Sequence, residues 1–325
     1  MKLRGIGGAA LLALCLVVAA PTAWAQAYPG KPIRLIVADA TGGAPDTLAR
    51  LLAQKLSDRL GQQVVVDNRP GAGGQLGAEL VARSTPDGHT LLLNTTAVWA
   101  ILPSVKKSLP YDPAKDFVPI TRIATASNVL VVNPSLAATT VPQLVMLARS
   151  SPGTLTYASA GIATPAHLAG EMLNLLADIK MTHVAYKGAG PALLDVLAGN
   201  VQVMITSPVA AGAHIRSGKL RAIASSGLQR SRAMPDLPTI AESLPNYEIT
   251  QSWGVAAPAG TPPDVLRRLH EEIVRAMSLP EMRERVEGLG ATPLTETPQE
   301  FERFIEAERK RLAEVISKSG IELSN

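Results

Sequence analysis

The stretch IRLIVADATGGAPDTLAR, residues 33–50, decides the fold. It opens with an apolar run rich in β-branched residues, turns at Thr41, Gly42 and Gly43, and continues with the apolar spacing of an amphipathic helix. A strand that feeds through glycines into a helix start leaves the first backbone N–H groups unpaired, at the positive end of the helix dipole. Such a turn is a place for an anion. The glycines remove Cβ atoms that would hold a ligand away from the backbone, and Asp46 is placed either to cap the helix or to orient the turn. Taken alone, the turn is equally a plain β–α connection. A second turn of the same form, YASAGIATPAH at residues 157–167, has Thr164 as N-cap and Pro165 at the first helical position, and it tips the reading toward an anion site.

Working outward, apolar strand-like runs alternate with helical ones, which predicts an α/β, doubly wound architecture. Strands are expected at 64–67, 90–93 and 118–124, with a helix at 75–83. From residue 129 (VLVVNPS) the pattern restarts: a capping box at Thr140 opens a helix to residue 150, and a strand at 155–157 leads into the second turn and a helix through residue 176. Strands at 182–186, 201–205 and 220–225, a turn at 187–190 and a helix at 191–198 complete this unit. Helices are expected at 262–277, 280–288 and 298–319, where Thr261, Ser278 and Thr297 each precede an acid by three residues, the capping-box spacing. Two β/α units that each carry an anion turn, linked where the chain crosses at 118–131 and 248–257, predict two lobes around a cleft. The division is residues 26–125 with 251–325 for the first lobe and 126–250 for the second.

The chain begins with Lys2 and Arg4, an apolar run over 6–20 and a small-x-small ending at Ala23-Trp24-Ala25, the layout of a secretory signal peptide cleaved after Ala25. That run is short for a membrane span, and later apolar runs are broken by charges, Gly or Pro, so a soluble exported product is expected. Cys15, the one cysteine of the sequence, lies in this segment. The mature chain then has no thiol for a disulfide, a metal ligand or a nucleophile. Loss of Lys2 and Arg4 takes the formal charge from +4 to +2, and the basic runs at Arg267-Arg268 and 309–311 sit in helical patterns as solvated faces. Nothing here is the footprint of a nucleic-acid binder. About 300 of the 325 residues remain, a length that suits two domains.

Other chemistry fails on spacing. NRPGAGG at 68–74 invites a dinucleotide fingerprint, but the third glycine would fall on Leu76 and no acid follows at the ribose distance; a tight turn with close helix packing fits better. Ser159, His167 or His183, and Asp195 can be assembled on paper into a hydrolase triad, yet Tyr157 stands where a nucleophile elbow needs glycine. The five histidines, His89, His167, His183, His214 and His270, show no metal-ligand spacing and read as helix-face or core-edge residues. Tyr157 and Trp253 either line the cleft or pack beside it.

Long motifs from residue 28 to the C-terminus carry a family resemblance: GQQVVVDNRPGAGGQLGAELVARSTPDGHTLL at 61–92, LPYDPAKDFVPIT at 109–121, PGTLTYASAGIATPAHLAGE at 152–171, HVAYKGAGPALLDVLAGNVQ at 183–202, RSRAMPDLPTIAE at 230–242 and WGVAAPAGTP at 253–262. The chain resembles the periplasmic receptors of tripartite tricarboxylate transporters, the Bug-type solute-binding proteins. The resemblance implies a type II periplasmic-binding-protein fold with two crossings and a ligand cleft between the lobes. It also implies a periplasmic monomer, without cofactor or metal, that closes on a small carboxylate-bearing solute and delivers it to integral-membrane permease subunits. It is a binding protein rather than an enzyme, with a secreted hydrolase using Ser159 as the alternative.

The resemblance places the ligand turns on Thr41, Gly42 and Gly43 with Asp46, and on Ser159, Ala160 and Gly161 with Thr164. Asp39, Thr95, His167, Thr206 and Ser207 complete the expected ligand-binding set. Ligand carboxylate is expected to meet backbone N–H groups and ordered water, with no arginine required. Three departures from the family pattern bear on ligand identity: Ala38-Asp39 where Pro-Phe is usual, Ala158 and Ala163 in the second turn where glycine is common, and Thr206 where an Asp often stands. Asp39 either faces the ligand, favouring a donor group beside its carboxylate, or turns away to cap the loop or to pair with a base.

Overall fold

The computed structural model describes residues 28–106, 108–231 and 234–319. The expected signal peptide lies outside the described residues. Among them, no helix is long and apolar enough to cross a membrane.

Alternation along β1 (Ile33–Val37) decides how the first lobe is layered. Ile33, Leu35 and Val37 join Leu48, Leu52 and Leu56 of α1 (Ala44–Leu60) in one cluster, while Ile36 joins a second cluster on the opposite face. Each such side chain removed from water contributes about 1.5–3 kcal/mol, so a strand buried on both faces must be a central one. After α1 the chain forms β2 (Val64–Asn68), α2 (Gln75–Ala82), β3 (Thr90–Thr95), α3 (Leu102–Val105) and β4 (Phe117–Ser127). The second lobe follows as β5 (Val129–Val132), α4 (Val141–Ser150), β6 (Thr156–Ser159), α5 (Pro165–Ala177), β7 (Thr182–Ala185), α6 (Ala189–Ala198), β8 (Val203–Thr206), α7 (Pro208–Arg216) and β9 (Arg221–Ser225). The chain returns to the first lobe through β10 (Thr250–Pro258), then α8 (Pro263–Met277), α9 (Pro280–Gly288), β11 (Thr292–Pro293) and α10 (Pro298–Ser319).

The two sheets share one plan. The first has the order β11-β4-β10-β3-β1-β2, with β1 parallel to β2 and β3 and β10 antiparallel to β3. The second has the order β7-β6-β8-β5-β9, with β6 parallel to β7 and β8 and β5 antiparallel to β8. In each sheet the antiparallel insert enters from the other lobe, so two crossings tie the lobes together. This is the α/β two-lobe architecture expected from the sequence. Parallel β–α units place their turns and helix starts at the same edge of each sheet, where ligands bind in α/β folds. At the crossings, Asn128 N donates to Ser226 Oγ at 2.8 Å and Gln251 Nε2 donates to Asn128 Oδ1 at 2.5 Å, so both linking segments share one buried polar knot.

Most expected elements form near their expected bounds, and the exceptions have local causes. Thr297 makes both capping-box bonds with Glu300. Thr261 and Ser278 do not cap, because the proline after each shifts the helix start: Pro262 and Leu279 are the N-caps of α8 and α9, while Ser278 Oγ donates to Val274 O in the helix before. At Thr140 the box is shifted too, with Gln143 Oε1 accepting from Thr139 N. The helix expected from residue 191 begins at Ala189, and α7 was not among the expected elements. Ser207 followed by Pro208 is the N-cap and first-turn signal that marks its start.

Candidate ligand-binding cleft

Helix starts from both lobes converge on one cleft. Its walls include Ala44 and Pro45 at the start of α1, Thr164, Pro165 and Ala166 at α5, Gly188 and Ala189 at α6, and Ser207 at α7. About 570 Å³ of empty space lies between them, including the open mouth. Three of the four starts carry proline at the first or second helical position, where its φ is preset and it has no N–H of its own to satisfy. Four positive dipole ends aimed at one space favour a negative ligand. No lysine, arginine or histidine is among the described residues that line it.

Among the described lining residues the single carboxylate, Asp39, has a defined place. It is 9% exposed, and its Oδ1 accepts the N–H of Ala40 at 2.7 Å and, across the cleft, the N–H of Ala189 at 3.0 Å. The side chain therefore caps its own turn and also the first turn of α6 in the other lobe. Burial pushes its carboxyl up to about 6, against the pull of those two donors.

Of the thirteen expected site residues, Asp39, Thr95, Ala160, Thr164, Thr206 and Ser207 line this cleft. Thr41, Gly42, Gly43 and Asp46 form the turn beside it. Asp46 Oδ2 accepts from Gly42 N at 3.0 Å and Oδ1 pairs with Arg50 at 2.8 Å, so it orients the turn and does not cap the helix. Ser159 is fully buried: its Oγ bonds both backbone groups of Gly161, at 3.0 and 3.1 Å, and lies 2.6 Å from His183 Nε2. His167 is also buried, accepting from Ala163 N at 3.2 Å through Nδ1 and stacking on His183 with centroids 3.8 Å apart. Burial, helped by His183, pushes His167 down to about 3, and burial pushes His183 down to about 4. Both rings are neutral near pH 7. Tyr157 stacks on both and donates to Glu171, so it backs the turn, and Trp253 is core; neither lines the cleft.

The paper triad fails here. Ser159 and His183 do meet, but Asp195 is bonded to Tyr186 and Asn200, and the hydroxyl has no exposure through which a substrate could reach it. Ala163 has φ +60°, a left-handed conformation that glycine adopts more readily than alanine; its N–H bond to His167 holds that conformation in place.

Glycines outside the two expected turns form the lobe-to-lobe contact. A Cβ on Gly190 would stand 2.1 Å from Thr41 O, and one on Gly73 would stand 2.5 Å from Ile162 O. Each pair joins one lobe to the other, so the close packing expected for residues 68–74 extends across the cleft. Asn94 and Gln251 also line it, unforeseen because one lies inside a strand and the other sits in a crossing.

Comparison with known proteins agrees with this geometry. Residues 48–321 match the tripartite tricarboxylate transporter family receptor. Protein BugT of Bordetella pertussis (strain Tohama I) is 38% identical over 308 residues, 94% of each chain. Rpa4515 of R. palustris, solved with adipate, superposes with TM-score 0.88 at 34% identity over 90% of this chain and 99% of that one. MatC (Rpa3494) of Rhodopseudomonas palustris, solved with bound malate, superposes with TM-score 0.85 at 29% identity over 89% of this chain and all of that one, 100%. These matches set aside the hydrolase alternative, and the chain belongs to the tripartite tricarboxylate transporter receptor family, whose members are periplasmic solute-binding proteins and not enzymes.

Proposed function

We propose that this chain captures a small carboxylate-bearing solute by closing its lobes on it and delivers the solute to the membrane permease of a tripartite transporter. The observation that carries the reading is the convergence of α1, α5, α6 and α7 N-termini from two lobes on one cleft with no cationic side chain among its described lining residues. Backbone N–H groups and dipoles then supply the positive potential, and they do so only when both lobes contribute. Relatives solved with adipate and malate support a carboxylate class. The ligand-binding set is the six lining residues of the expected list, with Gly190 packed on Thr41 and Gly73 packed on Ile162 holding the lobes together.

The proposal includes export by the N-terminal segment with cleavage after Ala25, action as a monomer, and a lobe division at 125/126 and 250/251. Sheet membership supports that division, since β4 ends at Ser127 and β10 begins at Thr250. Thermal-shift screening of the mature chain against mono-, di- and tricarboxylates and aromatic acids tests the reading. A true ligand at a hundred times its dissociation constant raises stability by about 2.7 kcal/mol. A flat response across all of these classes overturns it.

A further inference from the structure

Two fixed polar groups in the cleft are incompletely matched, and they ask for opposite things. Asn94, the last but one residue of β3, is 3% exposed. Its Oδ1 accepts the N–H of Thr95 at 2.7 Å, which settles the orientation of the amide, and its Nδ2 then has no partner among the described residues. Nδ2 lies over the start of α2, where a Cβ on Gly74 would stand 2.7 Å from it, and both residues line the cleft. A buried N–H pair without an acceptor is rare in folded proteins and calls for an explanation; Asn94 lines the cleft, where a bound molecule can supply the acceptor. On the same lobe, Asp39 spends Oδ1 on two backbone donors, and among the described residues no hydrogen bond reaches Oδ2. Asn94 therefore wants an acceptor and Asp39 a donor. Thr95, Thr206 and Ser207 do not decide the matter, because a hydroxyl rotates to give or accept as needed.

Resting on the reading of this cleft as a carboxylate receptor site, we propose that Asn94 and Asp39 select the ligand's second group, and that this group is a neutral hydroxyl or carboxamide. A hydroxyl or a carboxamide both gives and accepts a hydrogen bond. An ammonium group would satisfy Asp39 and leave Asn94 unmatched. A second carboxylate would satisfy Asn94 and face the charge of Asp39, and a methyl group would satisfy neither. Rejection by unmatched buried polar groups is the strongest form of small-molecule discrimination.

The experiment is calorimetric titration of the mature chain with butyrate, 4-hydroxybutyrate, succinamate, 4-aminobutyrate and succinate, repeated with the same end groups on three-, five- and six-carbon acids. At the preferred length, the hydroxyl or carboxamide acid binds at least tenfold more tightly than its ammonium, carboxylate and methyl counterparts. Asn94→Ala shrinks that margin, and Asp39→Asn shrinks the margin over the dicarboxylate in particular. Should Asn94→Ala melt early, Asn94→Ser and the wild-type series still decide. A dicarboxylate or an amino acid binding as tightly as the neutral members, or a margin unchanged in the Asn94 variants, overturns the inference while the carboxylate reading stands. Binding by none of the acids overturns both.

Discussion

The turns after β1 and after β6 occupy the same place in two sheets that share a five-strand plan, yet they are held by different physics. The first is organised by charge: Asp46 accepts from Gly42 and pairs with Arg50, and Asp39 reaches across to Ala189. The second is organised by a buried neutral network in which Ser159, His167, His183 and Thr164 bond or stack behind Gly161. Charge that reaches across a cleft responds to what enters it and to whether the lobes meet. A neutral stack packed behind a turn holds that turn in one shape. The first turn is thus the half that recognises and joins, and the second is the preset cup.

The strongest way to break this comparison is to stop the halves from meeting. Gly190→Val puts side chain where Thr41 O now stands 2.1 Å from a Cβ, and Gly73→Val does the same against Ile162 O at 2.5 Å. Each variant is expected to lose carboxylate affinity by more than about a hundredfold, equivalent to ~2.7 kcal/mol, while circular dichroism shows the fold intact. Gly43→Val is the milder comparison, since its φ of −77° suits any residue and the atom it meets first is the Asp39 side chain at 2.8 Å. Wild-type affinity in both Gly190→Val and Gly73→Val would mean that the ligand does not need these contacts.

The second test asks whether the neutral stack is what sets the lobe-2 turn. His167 and His183 sit near 3 and 4 in the folded protein, below the ordinary histidine value of 6.5. A base held below its unfolded value contributes stability that is present above about pH 6.5 and is lost as pH falls toward 4 and then 3. Glu171, with Oε1 3.9 Å from His167 Nε2, is the acid that faces the pair. Between pH 7 and pH 4.5 the wild type is expected to lose on the order of 2 kcal/mol more stability than His183→Gln, a figure reduced for the partial exposure of His183. Denaturant melts at both pH values measure it, and parallel losses in the two proteins would remove the stack from the explanation.

What could be read from the sequence is what local chemistry controls. Strand runs, the glycine turns, the Thr164 cap with Pro165 and the Thr297 capping box all act within a few residues, and all are where the pattern puts them. What could not be read depends on sequence-distant partners. Asp39 meets Ala189 across 150 positions, so no local pattern chooses between a ligand-facing and a capping carboxylate. Gly190 looks like a turn residue and is in fact a helical one pressed on Thr41 O. His183 lies opposite Tyr157 on a neighbouring parallel strand, and that pairing turns the Ser159 hydroxyl inward.

The smallest effect is the sharpest on this last point. A serine in an anion turn is expected to donate to the ligand, in which case Ser159→Ala weakens binding by about 0.5–1.5 kcal/mol and leaves stability alone. The structure points the other way: the hydroxyl is fully buried and already engaged with Gly161 and His183. Its removal leaves the Gly161 N–H and the His183 ring without a partner, and an unmatched buried polar group costs about 1–3 kcal/mol. Ser159→Ala is therefore expected to lower folding stability by about 1 kcal/mol. Affinity, measured by calorimetry at a temperature where both proteins are folded, changes less than threefold. Because the lost bonds belong to the preset cup, the deficit should be the same with and without saturating ligand. If the deficit instead grows when ligand is present, Ser159 touches the ligand after all, and the second turn recognises as well as holds.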